Sequence, residues 1–574
     1  MPTRQNIKDI KQLELFDSWG HISSQKRSIL DSSWPGLFQK EILPVLPVHE
    51  FGSFYSKSRG RKSKELYAML GTLVLQQQFD LTDEETVAHY IFDERWHYAL
   101  NRYNDSKNSE YMCYKTLWSA RNKASINDFD LIIFEAVADK LATIFSVNTD
   151  FQRLDSVHIK SNMRKLSRVT LCSNAIRKFI KNLKRKDKEL LVHIDKKLLE
   201  RYLPQKGFQC FAMVKPSEAQ KTLVVVSKDL YTLIKQFKNI EGVPSMRTYK
   251  LLERILTEQF IVKESDSKET IEIKAPKEVA SDSLQNPSDP DATYSGHKGQ
   301  GYQVQVMETV CKDKDKKAET LNLITHVKVE QAHESDAHAL IPAVESTKKR
   351  GLKPKKLAAD EAYGSDTNCE SAKKHDVDVI SPAQGSGKKD SNSLIDFTIY
   401  ANGKVKLCPK GKTPVRTHKK KRFSAAFDLK VCGSCPDCSN CIVQKGKNYF
   451  YLRYTKKELR LALRRKHEQS SEFKEDYRWR SGVEAAMAEL DRRTGVKNLK
   501  VRGFRAVRFA ATLKAAGLNI LRAAAVRKGR KKATAVATAV AKNGNLALKQ
   551  LISLILSVKE HLKPIFCRFQ KKVA

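Results

Sequence analysis

Three carboxylates stand in contexts from which they could converge: Asp155 in the short run FQRLDSVHI, Asp360 at the end of KKLAAD before the turn AYGS, and Glu484 in RSGVEAAMAELDRR. Acids projecting from strand ends and from one helix can hold two divalent cations about 3.5–4 Å apart, one activating an attacking hydroxyl and one stabilising a leaving oxygen in phosphoryl transfer. Surface acids are common, so the weight lies in the surroundings of Glu484. Arg480 precedes Glu484 by four residues and Tyr477 precedes Arg480 by three, spacings that predict one shared helical face. An aromatic ring, a guanidinium and an acid in line suit a scissile phosphate with a neighbouring base. The plainer alternative is a surface helix with an internal Arg–Glu pair.

A second constellation is made of sulfur. Five of the eleven cysteines, Cys408, Cys432, Cys435, Cys438 and Cys441, fall within 34 residues, while Cys113, Cys172, Cys210, Cys311, Cys369 and Cys567 are scattered. Scattered thiols in a long chain fit a reducing compartment, where a tight cluster holds metal more often than disulfides. Zinc takes four ligands in a tetrahedron, and consecutive C-x-x-C triplets are strained donors. The preferred expectation is therefore a structural Zn²⁺ on Cys408 plus three of the other four, with an iron–sulfur cluster or unligated thiols as alternatives. Other chemistries fail on spacing. GSGKK (385–389) lacks the first glycine and the hydroxyl of a nucleotide-binding P-loop, so no use of ATP is expected. His333 and His338 are five apart, about 140° around a helix, which does not suit a zincin site.

The elements that must position these residues follow from pattern. The first 150 residues read as helical, with helix-spaced apolar positions in ELYAMLGTLVLQQQ. Thr82 and Glu85 form a predicted capping box opening a further helix through TVAHYIFDERWHYALN, its Tyr90, Phe92, Trp96 and Tyr98 forming apolar faces. A strand is expected near Asp155. From Lys160 to Arg201, fourteen Lys/Arg face four Asp/Glu among helix-spaced Leu and Ile, an excess that favours phosphate contact over a merely solvated face. The Ser/Asp/Pro-rich stretch ESDSKETIEIKAPKEVASDSLQNPSDPDATYSG reads as a loop or linker. Then GYQVQVMETV and LNLITHVKV alternate as strands, DAHALIPAVESTKKRG reads as a helix ended by Gly351, and KKLAAD and VDVISPA read as short strands. This is an α/β unit, and the Asp155 strand can join it if the basic helices are an insertion.

Length and charge set the class. A chain of 574 residues divides into roughly three or four units at about 150 residues per domain. A formal charge of +40 makes a polyanion the natural partner, while 41% apolar residues support packed cores. The start MPTRQNIKDIKQ lacks an apolar secretion signal, and the aliphatic run 551–558 is far below the roughly 18 residues of a membrane span, so an intracellular protein with no membrane partner is expected. Residues 500–574 hold eighteen Lys/Arg and one acid, with the run RKGRKK and the amphipathic stretch LALKQLISLILSVKEHL, for which DNA is a better partner than a membrane surface.

Together these residues resemble the DDE transposases of bacterial insertion sequences, in the group whose terminal helix carries Tyr-x-x-Arg-x-x-x-Glu-x-x-x-x-x-x-Lys. The resemblance rests on Asp155 in LDSVHIKSN, Asp360 in AADEAYGSD, and Tyr477, Arg480 and Glu484. ELYAMLGTLVLQQQFDLTDEETVAHYIFDERWHYALN is similar to the helical N-terminal domain of one such family, and DPDATYSGHKGQGYQVQV to the entry of its second catalytic strand. It spans roughly residues 10 to 525. One position departs: the expected lysine, seven residues after Glu484, is Asp491, followed by Arg492 and Arg493. Either arginine can supply the missing positive charge, and Asp491 itself could join a metal site.

The resemblance implies a multidomain α+β chain: an RNase H-like α/β catalytic core with a helical N-terminal domain, a helical insertion and a Cys-rich insertion. The expected boundaries are a helical DNA-binding domain at 1–150, core at 151–160 plus 290–400, basic helical insertion and linker at 161–289, Cys-rich insertion at 401–460, terminal core helices with the catalytic glutamate at 461–525, and a basic tail at 526–574. It implies Mg²⁺ on Asp155, Asp360 and Glu484, phosphate or DNA contact by Tyr477, Arg480 and Arg492, and base stacking by Trp479, for which a core role is the alternative. The implied reaction is hydrolysis at element ends followed by attack of the freed 3′-hydroxyl on target DNA. The implied partners are double-stranded DNA, both terminal inverted repeats and target, and a second copy in a dimer or larger synapse. The implied place is the bacterial cytoplasm, at the nucleoid. Rival expectations are a catalytically inactive DNA-binding derivative and a metal-dependent nuclease that cuts without joining.

Overall fold

The computed structural model describes residues 3–8, 17–103, 111–203, 214–265, 268–385 and 393–542; Cys210, Cys567 and the amphipathic stretch near the C-terminus lie outside them. Helix α1 (Leu66–Gln78) is capped by the Glu65 carboxylate, which accepts from the Tyr67 and Ala68 amides. The capping box opens α2 (Asp83–Phe92): Thr82 Oγ1 accepts from Glu85 N–H, and the Glu85 carboxylate accepts from Thr82 N–H at 2.7 Å. The sequence reading ran this helix on through YIFDERWHYALN, but it stops at Asp93. There the backbone is extended, and the Asp93 carboxylate accepts Arg95 N–H to cap a new helix, α3 (Glu94–Ala99). A short acid can offer the backbone this alternative to an uninterrupted helix. Tyr90, Trp96 and Tyr98 are buried, while Phe92 is left 81% exposed. Helix α4 (Phe129–Phe145) completes the bundle.

Strand β1 (Phe151–Lys160) carries Asp155, and the chain then leaves the sheet. The basic stretch folds as α5 (Arg168–Lys186), α6 (Ala219–Phe237) and α7 (Arg247–Gln259), around a core of their own that includes Ile176, Phe179, Phe237, Tyr249 and Ile255. Lys181, Lys184, Arg185 and Lys186 remain exposed on α5. The stretch read as a loop or linker is more ordered than expected. Its alternating KETIEI pairs as Lys268–Ile273 with Phe260–Ser265 in an antiparallel hairpin. Its DPD segment is fastened down: Asp289 accepts from Ser161 Oγ, the Tyr302 hydroxyl and Gly503 N–H, and Asp291 accepts from Phe504 N–H. Acids there satisfy amides at the start of the last helix, where the helix dipole also favours negative charge.

The chain returns through β2 (Thr293–Ser295), β3 (Gly299–Thr309), β4 (Ile324–Gln331), helix α8 (Leu340–Lys349), β5 (Lys356–Ala359), helix α9 (Asp366–Lys373) and β6 (Asp378–Ile380). The expected strands are all present, and β1 joins them at the centre in the order β6–β5–β1–β3–β4, with β2 also on β3. Strand β3 runs antiparallel to β1 and β4, whereas β5 is parallel to β1 and β6 parallel to β5. One face of this sheet, with Val157, Ile159, Val304, Val306 and Val327, shares a continuous core with the N-terminal helices. On the opposite face Leu154, Met307 and Leu357 pack with Leu340 and Val344 of α8 and Ala372 of α9.

After β6 comes a small antiparallel sheet, β7 (Arg416–Lys419), β8 (Phe423–Asp428), β9 (Gln444–Lys445) and β10 (Tyr449–Tyr454), in the order β7–β8–β10–β9. Helices α10 (Lys456–Glu468), α11 (Ser471–Tyr477), α12 (Gly482–Thr494) and α13 (Phe504–Lys542) follow. Within α13, Phe504–Lys531 is long and apolar enough to cross a membrane by composition, but 78% of its apolar window is buried inside the fold, as befits a core helix. The single helical face expected for Tyr477, Arg480 and Glu484 is interrupted, because Arg478–Ser481 form a 3₁₀ turn between α11 and α12. Arg153 of β1 explains the break. Its Nη1 donates to the Trp479 carbonyl at 3.1 Å, the acceptor a continuous helix would offer to residue 483, and its guanidinium fills the space where Gly482 lacks a side chain.

Candidate active site

The register of two parallel strands sets the first contact. Leu154 pairs with Ala359, so Asp155 on β1 and Asp360 at the tip of β5 follow side by side. Arg480 Nη2 reaches both, lying 3.4 Å from Asp155 Oδ2 and 3.3 Å from Asp360 Oδ2. Asp360 also caps the turn Glu361–Tyr363 by accepting Glu361 N–H, which fixes its carboxylate at the strand end. Glu484 stands in the first turn of α12, four residues beyond Arg480, and is exposed. Tyr477 packs half-buried against Phe473 with stacked rings 5.4 Å apart. The structure thus brings Asp155, Asp360 and Arg480 into direct contact and sets Glu484 one turn away.

The two aspartates and the guanidinium between them shape the local electrostatics. Burial is the main cause that lifts the Asp155 carboxyl above its ordinary range; the Ser156 amide and Arg480 oppose it, while Asp360 and Asp336 add to it. Burial likewise raises Tyr477, with the charge of Arg480 opposing and those of Asp360 and Asp155 adding. Arg480 Nε is buried with no hydrogen-bond partner among the described residues, so one donor of the guanidinium is uncommitted. The hard carboxylate oxygens of Asp155 and Asp360 are suitable ligands for Mg²⁺. As placed, however, no three His, Cys, Asp or Glu side chains among the described residues form a metal-holding group.

Sequence reasoning missed a second set of polar residues beneath these acids. Lys298 Nζ donates to Ser156 Oγ at 2.9 Å, to Gln303 Oε1 at 2.9 Å and to Asp336 Oδ2 at 3.0 Å. Gln305 Nε2 donates to Asp336 at 2.9 Å, and the Tyr363 hydroxyl donates to Gln305 Oε1 at 2.6 Å. The signal was present in GYQVQV, where two glutamines share one strand parity with no apolar residue between them on that face, a pattern that places amides in a buried layer. Burial first, then the charges of Asp336 and Asp155, push the Tyr363 hydroxyl far up, so it remains a donor.

The other expected site residues fall elsewhere. Trp479 is partly buried, packs against the cluster of Phe151, Ala358, Ile380 and Phe473, and gives its carbonyl to Arg153. Arg492 is exposed near the end of α12. Asp491 does not turn toward the aspartates. Its carboxylate accepts Lys497 N–H at 3.0 Å and closes the turn after α12, where Gly495 takes φ +66°. The five clustered cysteines, all free, line one small cleft with Phe427 and Val443, and Cys408 Sγ accepts Lys412 N–H at 3.3 Å. Burial, reinforced by the neighbouring sulfurs, pushes the Cys432 thiol up to about 11.

Comparison with known proteins defines the class. Residues 406–524 match a family described as a transposase DDE domain, and residues 31–123 match one described as a transposase domain (DUF772). The first match spans the cysteine cluster, Tyr477, Arg480 and Glu484, and the second spans α1 to α3. The two matches indicate a DDE-type transposase of an insertion element. Among curated proteins and solved structures none matches the chain.

Proposed function

We propose that this chain is a Mg²⁺-dependent DNA transposase that cleaves element ends and joins the freed 3′-hydroxyl to target DNA. The observation that carries this reading is the meeting of Asp155 and Asp360 on Arg480, with Glu484 one turn further along. The order β6–β5–β1–β3–β4, with one aspartate on the central strand and the other at the tip of its parallel neighbour, supports an RNase H-like core. Asp155, Asp360 and Glu484 would hold Mg²⁺, whose chemistry when bound is activation of the attacking oxygen and stabilisation of the leaving one. Arg480, whose guanidinium lies against both aspartates, would meet a phosphate beside them, and Tyr477 flanks that strand end. The exposed lysines and arginines of α5 and the basic C-terminal region contact the DNA backbone without ATP. Two element ends must meet, which calls for a dimer or a larger synapse. The cysteine cleft would hold a structural Zn²⁺ through Cys408 and three of its four neighbours.

The test is cleavage and joining of end-labelled duplexes carrying the element's flanking ends, in Mg²⁺, by wild type and by Asp155→Asn, Asp360→Asn and Glu484→Gln. The expected result is loss of both products by about 10³-fold or more in each variant with DNA binding retained, in line with removal of a principal source of transition-state stabilisation. Binding without metal-dependent product in the wild type would instead establish a DNA-binding derivative. Cutting without joining would establish a nuclease.

A further inference from the structure

The separation of Asp155 and Asp360 is set by more than strand register. Asp155 is followed on β1 by Ser156, which faces the other side of the sheet and accepts from Lys298. Asp360 is followed by the turn Glu361–Tyr363, whose buried Tyr363 hydroxyl donates to Gln305. Gln305 is the cross-strand partner of Ser156 on β3. Asp336 joins the two branches, accepting from Lys298 at 3.0 Å and from Gln305 at 2.9 Å. A chain of hydrogen bonds, with side branches from Gln305 to Glu330 and from Lys298 to Gln303, therefore runs from the residue after one aspartate to the turn after the other.

We propose that Lys298, Asp336, Gln305 and Tyr363 form a positioning network that holds the side-by-side Asp155 and Asp360 for a shared divalent cation. The inference rests on the metal-dependent reading above. Its polarity is fixed at each step. The phenol donates to the glutamine oxygen, so the glutamine nitrogen must face Asp336, and Asp336 then meets the ammonium of Lys298. Gln305 is fully buried, so an amide freed at one end has no water with which to replace the lost bond. Lys298 approaches neither aspartate within ion-pair distance and acts through Ser156, which makes it a positioning residue rather than a ligand. None of the four residues belongs to the DDE-domain match at 406–524.

The experiment is titration of the full-length protein with Mn²⁺, following free Mn²⁺ by electron paramagnetic resonance, with thermal unfolding measured in parallel. The set is wild type, Tyr363→Phe, Lys298→Met and Asp155→Asn. The network predicts that Tyr363→Phe and Lys298→Met each weaken Mn²⁺ binding by about tenfold or more while the proteins remain folded, and that Asp155→Asn abolishes the same binding. A purely structural role would lower the unfolding temperature and leave the Mn²⁺ affinity of the folded protein at the wild-type value; that result would overturn the network. Should Lys298→Met fail to fold, Tyr363→Phe decides alone, since it removes one oxygen and keeps the ring. Wild type that binds no more Mn²⁺ than Asp155→Asn would overturn the metal-dependent reading itself, a different failure from equal affinities among wild type, Tyr363→Phe and Lys298→Met.

Discussion

The central sheet and the small cysteine-lined sheet both gather chemistry-bearing side chains from distant parts of the chain, but by different means. In the central sheet Asp155 and Asp360 meet because two parallel strands are in register, and the strands are in turn locked between two apolar layers. The small sheet has a modest core, of which Phe397, Phe423, Phe427, Phe450 and Tyr454 are the largest buried members, and its five thiols line a cleft beside it. On the zinc reading proposed above, a metal would cross-link that smaller core, whereas the large sheet accommodates buried charge. The contrast teaches that a site can be imposed by a fold or can itself complete one.

The largest expected effect follows from that contrast. A structural zinc contributes on the order of 10 kcal/mol to a small domain that depends on it, so chelation, or Cys408→Ser, should unfold the small sheet outright. Amide exchange should show β8 and β10 losing protection while β1 and β3 keep theirs. Equal protection of β8 and β10 with and without chelator would erase the distinction between the two regions. Next in size is the charge held inside the large sheet. Glu308 is only 1% exposed and pairs with Arg153 at 2.6 Å and with Arg522 at 2.8 Å. Glu308→Gln leaves the buried Arg153 without a carboxylate, Arg522 keeping Glu489, and should cost about 3–5 kcal/mol in urea unfolding. A loss below about 1 kcal/mol would mean that the central sheet does not depend on this triad.

Sequence made the strands legible because alternation survives translation into structure: GYQVQVMETV and LNLITHVKV became β3 and β4 largely as read. The capping box at Thr82 was equally local, and equally visible. What stayed hidden depended on partners far along the chain. The break at Arg478–Ser481 is enforced by Arg153, 326 positions away from Trp479, and no local pattern near Tyr477 encodes it. The adjacency of Asp155 and Asp360 could be suspected from residue type, but it is decided by a parallel register that periodicity does not specify. Nothing in the sequence singles out Lys298 and Asp336, and only the closing of the sheet brings them to Ser156 and Gln305. Asp491 misled in the opposite direction: its place in the motif drew attention to the metal site, while its carboxylate is used by the turn at Lys497.

A smaller effect separates the regions by acid. His326 lies inside the large sheet on β4, with its Nε2 unpartnered among the described residues, and burial, with lesser contributions from Arg350 and Lys328, lowers its pKa from 6.5 to about 3. The unfolded chain binds this proton below pH 6.5 and the folded sheet does not, so stability is intact above 6.5 and is lost progressively as pH falls toward 3. At pH 5 the loss should be about 2 kcal/mol, and His326→Leu should remove that part of the pH dependence. A wild-type profile that His326→Leu leaves unchanged would place the acid sensitivity elsewhere.

The smallest effect belongs to the surface of the cysteine-lined region. Lys410 and Asp437 form an ion pair at 2.9 Å beside the cleft, with side chains 48% and 38% exposed. By distance alone it resembles the Arg153–Glu308 pair of the central sheet, yet water screens it from both sides and two mobile side chains must be held to form it. Asp437→Asn should therefore leave the unfolding temperature and the exchange of β8 unchanged within error, where Glu308→Gln produces a large loss. A substantial fall in β8 protection would show that the charge pair, rather than the sulfurs, closes the cleft, and the small sheet would then be held together in the same manner as the large one.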